Sequence, residues 1–214
     1  MKIAVIGSGG REHSICSALK KSENLNELYC IPGNGGTSEI AKNIKIDIND
    51  FQQLKNFILD NKIDLVVIGP EKPLVDGLTD YLEKFDIKVF GPNKQASQLE
   101  GSKIFTKKIC EKENIPTAKF GVFENKKDSI SYIEKSKFPI VIKADNIAAG
   151  KGVYISNNLN EGIDAINEIF NGKFGAANNV LIEEFLEGEE MSFFIITDGV
   201  TIKEFGTAQD HKRV

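Results

Sequence analysis

The chain has 214 residues, 41% hydrophobic and 27% charged, with a formal net charge of −4. That is enough core-forming material for one large or two small globular units, and the charge gives no electrostatic case for nucleic acid or an anionic membrane as partner. The first apolar run, residues 3–6, is too short for a signal-peptide core, and no run approaches a membrane span. Cys16, Cys30 and Cys110 are odd in number and lack metal-ligand spacing, so they read as reduced thiols of a cytoplasmic protein. His13 and His211 are too few and too separate for a zinc site.

Residues 2–6 predict a parallel core strand, which Gly7-Ser-Gly-Gly-Arg-Glu12 turns into a helix running to about residue 21. Such a turn sets free amides and a helix N-terminus at the strand's carboxyl end, a natural anion site. The spacing departs from a dinucleotide fingerprint. No third glycine follows Gly9 at the required distance, and the second strand, 28–31, ends in Pro32-Gly-Asn-Gly-Gly36 where an acidic residue would be needed. Two such turns side by side, with Arg11 available for charge-assisted hydrogen bonds, fit a sugar phosphate better than NAD. A strand over 43–48 and a helix over 51–59 capped by Asp50 follow, then an apolar strand, 63–68, ending in Gly69-Pro-Glu-Lys-Pro73. Glu71 there either accepts from ribose hydroxyls or caps a helix over 74–85. With a last strand at 87–90, the alternation over 1–93 predicts a doubly wound α/β unit.

Residues 94–113 read as a helix broken or bent at Gly101, within a linker spanning 94–116, with Lys103 either a surface residue or a phosphate contact. A second α/β unit over 117–187 is expected from strands at 119–123, 140–143, 153–156 and 180–184 and helices at 129–135 and 159–170. Lys143 ends a β-branched run, where a charge needs a partner. Ala148-Ala-Gly-Lys-Gly152 then frees the backbone to approach a ligand, with amides to hold anionic oxygens and Lys151 to add charge. It is not a Walker A loop, because Lys151 is followed by glycine and a strand; the bland alternative is an ordinary glycine-rich hairpin loop. Glu183 and Glu190 stand among apolar neighbours, whereas Glu187 and Glu189 read as a solvated turn. A carboxylate beside a short turn can accept from an adenine amino group, and one seven residues on can bind ribose hydroxyls. Residues 191–197 and 200–205 around Asp198-Gly199 predict a hairpin with a type I′ turn. A lone hairpin is marginal in water, so 188–214 is expected to open a third, incomplete domain.

Taken together, these stretches resemble those of the phosphoribosylamine–glycine ligases (glycinamide ribonucleotide synthetases), purine-biosynthesis enzymes of the ATP-grasp fold. The matching motifs are Gly7-Ser-Gly-Gly-Arg-Glu-His13, Pro32-Gly-Asn-Gly-Gly36, Gly69-Pro-Glu-Lys-Pro-Leu-Val75 and Leu99-Glu-Gly-Ser-Lys103. They continue, in family order, with Val141-Ile-Lys-Ala-Asp145, Ala148-Ala-Gly-Lys-Gly-Val153, Glu183-Glu-Phe-Leu-Glu-Gly-Glu-Glu190 and Ala208-Gln-Asp-His-Lys-Arg213.

The resemblance implies an α/β protein: a doubly wound pre-ATP-grasp domain, then an ATP-grasp lid domain and the start of a third. It implies ligation of glycine to 5-phosphoribosylamine at the expense of ATP, through a glycyl phosphate, by a monomer or weak oligomer. Lys103 and Lys143 would contact ATP phosphates while Gly150, Lys151 and Gly152 close over them, with Lys143 and Lys151 as the catalytic pair. Glu183, Glu184, Phe185 and Leu186 would hold adenine, and Glu190 the ribose. Gly7, Gly9, Gly10, Arg11, Glu12, Gly33, Asn34, Gly35, Gly69, Pro70, Glu71, Asp210 and Lys212 would bind substrate. The Mg2+ ligands are expected beyond Val214, so no metal residue is assigned here and the chain alone is expected to be inactive. Another ATP-grasp carboxylate–amine ligase and a non-catalytic nucleotide-binding fragment are the alternatives.

Overall fold

The computed structural model describes residues 1–145, 152–175 and 179–211. The first sheet holds β1 (Lys2–Gly7), β2 (Glu27–Pro32), β3 (Lys42–Asn43), β4 (Leu65–Ile68) and β5 (Val89–Phe90). All pairs are parallel, in the order β3-β2-β1-β4-β5. The intervening helices are α1 (Gly10–Leu19), α2 (Phe51–Asp60), α3 (Glu71–Asp76) and α4 (Leu78–Glu83). From Ile3 to Ile6 β1 is apolar and buried, because both of its faces are covered. Ala4 and Ile6 pack with Leu54 and Ile58 of α2 and Leu78 and Leu82 of α4. Ile3 and Val5 pack with Cys16 of α1 and Cys30 of β2. The chain runs outward from β1 to β3, then crosses to β4, so the strand order reverses between β1 and β4. Open α/β sheets bind ligands at such a point.

Two short helices follow, α5 (Gln98–Gly101) and α6 (Lys103–Lys112). The second sheet comprises β6 (Phe120–Phe123), β7 (Ile140–Ala144), β8 (Val153–Ser156) and β9 (Val180–Glu184), with α7 (Lys126–Ile133) and α8 (Leu159–Phe170). Its order is β6-β9-β7-β8, and every pair is antiparallel. One face packs on the helices: Ile140, Ile142, Ala144, Val180 and Ile182 meet Ile133 of α7 and Ala165, Ile166 and Ile169 of α8. The pleat has a period of two, so Val141, Lys143, Leu181 and Glu183 stand on the other face. Glu183 pairs with Val141 and Leu181 with Lys143, which makes Lys143 and Glu183 diagonal neighbours within reach of long side chains.

The N-terminus of α6 is pinned to the end of β7. Ser102 caps the helix by accepting from the Phe105 amide, and donates its own hydroxyl to Asp145 at 3.1 Å. The Ile104 amide also donates to Asp145, at 3.1 Å. A separate hairpin, β10 (Glu190–Thr197) and β11 (Ile202–Asp210), forms its own two-stranded sheet with exposed side chains on both faces, among them Phe193 and Phe205.

Several elements differ from expectation. The helix expected over 74–85 is split, because Gly77 adopts φ 97° and closes α3 as a left-handed cap. The helix expected over 94–113 does break beside Gly101, where the extended backbone of Ser102 starts α6, but its first part is shorter and begins only at Gln98. Of the strand expected over 43–48 only Asn43 stands in the ladder, and Ile44 and Ile46 pack on the core beyond it. The hairpin turn is not type I′, because Asp198 does not take a positive φ. Its side chain instead accepts from the amides of Val200 and Thr201.

Ile142→Ala, in the centre of the second core, should lower unfolding free energy by about 2–5 kcal/mol. Lys127→Ala, at an exposed position of α7, should change it by less than about 0.5 kcal/mol. Urea unfolding compares them, and equal losses would mean that the core lies elsewhere.

Candidate functional site

Three turns meet at the carboxyl ends of β1, β2 and β4. Gly7 takes φ 128° and Gly33 φ 74°, and the Gly33 amide donates to the Gly7 carbonyl at 3.1 Å. Asn34 reaches back to donate to the Ser8 carbonyl at 2.8 Å. It is itself held by Thr37, whose hydroxyl accepts from the Asn34 amide at 2.7 Å, and by Asn43, whose amide group donates to the Asn34 carbonyl at 2.7 Å. Arg11 crosses the mouth in the other direction, donating to the Gly69 carbonyl and to Glu71 Oε1, both at 2.8 Å. The result is a cavity of about 430 Å3 lined by Gly7, Gly9, Gly10, Arg11, Glu12, Pro70 and Glu71, with Ser8 and Ile48.

Glu12 is the brace inside this cradle. Its side chain is buried, and Oε2 accepts from the Gly9 amide at 2.5 Å. A Cβ on Gly69 would lie 2.0 Å from Glu12 Oε1, and one on Gly7 would lie 2.7 Å from the same side chain. These glycines are therefore the space that Glu12 fills, and Glu12 shapes the cradle from within. The Glu71 carboxyl is held below its ordinary pKa by its own backbone amide first and, against the opposing effect of burial, by Arg11. It stays an anion facing a guanidinium.

The second site lies on the face of the second sheet turned away from α7 and α8. Glu183 is 5% exposed and carries two lysines. Lys143, from β7, pairs with Oε2, and Lys107, from α6, pairs with Oε1 at 2.6 Å. Lys103 lies one helical turn before Lys107 and donates to the Ala144 carbonyl at 3.2 Å. Burial lowers the Lys103 pKa; Asp145 opposes this and Lys143 reinforces it. Val153 and Ile155 of β8 pair with Lys143 and Val141 and leave exposed apolar side chains beside the cations. Such a face offers an apolar floor to a ring and positive charge to an anion.

The structure thus brings Lys103, Lys143 and Glu183 together, and gathers the three glycine turns into one cradle. Gly152 is buried, and its carbonyl accepts from the Ala144 amide at 2.9 Å. Glu184 ends β9, and its carboxylate accepts from the Lys119 amide at 2.8 Å. Phe185 is half-buried and Leu186 exposed. Glu190 and Asp210 face each other across the hairpin register. Gly150, Lys151 and Lys212 lie outside the described residues. Sequence reasoning missed Lys107. Its four-residue spacing from Lys103 on a predicted helix was the available signal, but only the fold shows a buried carboxylate waiting for it. Among the described residues, no three carboxylate, imidazole or thiolate groups gather to hold a metal ion, and no helix is long and apolar enough to cross a membrane.

Comparison with known proteins agrees with this fold. Residues 1–100 match the family profile of phosphoribosylglycinamide synthetase, N domain, and residues 101–214 match phosphoribosylglycinamide synthetase, ATP-grasp (A) domain. A phosphoribosylamine–glycine ligase of Brucella melitensis is 50% identical over all of this chain and half of its own length. One from Caldanaerobacter subterraneus is 40% identical over the whole chain and 52% of the relative. The chain spans about half the length of the curated relatives it matches. The crystal structure of the phosphoribosylamine–glycine ligase of Thermotoga maritima superposes with a TM-score of 0.78 at 31% identity, over 95% of this chain and 49% of that one. An N5-carboxyaminoimidazole synthetase from Staphylococcus aureus, complexed with ADP, shares the fold with a TM-score of 0.73 at 19% identity, over 99% of this chain and 55% of that one. Matched along its whole length by the two profiles, the chain belongs to the phosphoribosylglycinamide synthetase family.

Proposed function

We propose that this chain is the substrate-cradling and nucleotide-gripping part of a ligase that joins glycine to 5-phosphoribosylamine. The products are glycinamide ribonucleotide, ADP and phosphate. The observation that carries this reading is the convergence of Lys103 and Lys143 beside an apolar sheet face, in a chain half identical to ligases of that name. A carboxylate is inert to amines, so glycine must first become an acyl phosphate, a transfer that depends on positioning and charge neutralisation. Lys103 and Lys143 neutralise phosphate oxygens, with Lys151 and the amides of Gly150 and Gly152 closing over them. Glu183 to Leu186 border the adenine, and Glu190 takes the ribose hydroxyls. The cradle of Gly7 to Glu12, Gly33 to Gly35 and Gly69 to Glu71 holds the phosphoribosylamine, with the α1 N-terminus and Arg11 toward its phosphate. Asp210 and Lys212 belong to the substrate side of the same reading. A magnesium ion bound with the nucleotide would supply further charge neutralisation. No cluster among the described residues fits it, so this chain's share of that work rests on its lysines.

Three measurements test the reading. In a ligase of its relatives' full length, Lys143→Ala removes a charge-assisted hydrogen bond of about 1.5–3 kcal/mol, so ATP affinity or turnover should fall about 10- to 100-fold. Unchanged ATP affinity and turnover would overturn the phosphate role. Arg11→Ala in the same protein should raise the KM for phosphoribosylamine about tenfold while leaving that for ATP near its original value; the reverse pattern would move the cradle to the nucleotide. The 214-residue chain by itself should show little or no ligation in a phosphate-release assay, and steady turnover would refute that division of labour.

A further inference from the structure

Lys107 has no part in the reading above, yet it is the most completely bound cation of the triad. Its Nζ pairs with Glu183 Oε1 at 2.6 Å, donates to Thr117 Oγ1 at 2.6 Å and to the Ala118 carbonyl at 3.2 Å, and lies 5.4 Å from the centre of the Phe120 ring. Its side chain is 11% exposed, against 27% for Lys143. One lysine is therefore locked to the protein and the other reaches the open face, and both hold the same carboxylate.

The arrangement answers an electrostatic problem. A buried carboxylate that loses its only counter-ion is strongly destabilised. If Lys143 were the sole partner of Glu183, each phosphate it took up would leave an uncompensated anion behind. With two cations to one anion, the triad can give up one and still be balanced.

Resting on the reading that this face takes ATP, we propose that Lys107 is a positioning residue that stays with Glu183 and so releases Lys143 to the nucleotide phosphates. Lys143 leaves Oε2, and that oxygen, its carboxylate still paired with Lys107, accepts from the adenine amino group. Guanine presents a carbonyl at the corresponding edge, which a carboxylate repels. Lys107 touches neither ring nor phosphate, yet it sustains both the grip on phosphate and the preference for adenine.

The test compares Lys107→Met and Lys107→Arg with the wild type in the full-length ligase, by calorimetric titration of ATP and of GTP. Folding is checked by thermal melting. Lys107→Met should weaken ATP binding about tenfold or more and narrow the preference for ATP over GTP, with KM for phosphoribosylamine unchanged, and Lys107→Arg should restore most of both. A folded Lys107→Met protein that binds ATP within about twofold of wild type, with the same preference, would overturn the inference and leave Lys107 a structural residue. If Lys107→Met does not fold, Thr117→Val decides, because it keeps the charge and removes the hydroxyl that fixes it. A loss of about threefold in ATP affinity is expected there, and no loss overturns the inference. A wild-type ligase that fails to bind ATP would instead sink the underlying reading, a result distinct from either.

Discussion

The carboxylate of Glu183, held between Lys107 of α6 and Lys143 of β7, is the interaction on which the second half of the molecule turns. A buried anion tolerates little displacement of its partners, because each lost pairing exposes a charge that the surroundings cannot solvate. Holding Lys107 fixes the rotation of α6, and that rotation carries Lys103 to the end of β7. The pins from Ser102 and Ile104 to Asp145 set the height of the same helix. Three cations from two elements are thereby collected on one face of a sheet, a concentration of like charge that is tolerable only with an anion at its centre.

The first half reaches a comparable end by different means. Its cradle is made of backbone, and backbone can be brought close only where side chains are missing. Glu12 occupies the space that Cβ atoms on Gly7 and Gly69 would take, and its carboxylate holds the Gly9 amide. Arg11 and Asn34 then tie the outer turns to the central one. Charge in the second site and absence of bulk in the first are complementary ways to approach an anion: one brings a mobile counter-ion, the other brings rigid amides.

Much of this was readable in advance. The apolar runs of β1 and β4 announce strands covered on both faces, and the glycine turns after them announce backbone brought close together at the strand ends. Asp50 caps α2 as its position suggests, its side chain accepting from the Gln53 amide. Lys143 at the end of a β-branched run signalled a charge with a partner, and the partner exists. Short elements were less legible. Gly77 splits a pattern that reads as one helix, and Asp198 satisfies its hairpin turn through its side chain rather than through a positive φ.

The amino-acid sequence by itself determined the order of strands and helices, the three glycine turns and the motif set of the phosphoribosylglycinamide synthetase family, since periodicity, turn chemistry and motifs are properties of neighbouring residues. Tertiary structure alone decided that Glu12 braces the cradle from inside and that Lys107 shares a carboxylate with Lys143. Lys107 and Glu183 are far apart in the chain, and only the packing of α6 against the second sheet brings them to 2.6 Å. A charge that looks like an ordinary surface lysine in sequence becomes a buried counter-ion when the fold closes over it, because burial depends on what the rest of the chain places around it.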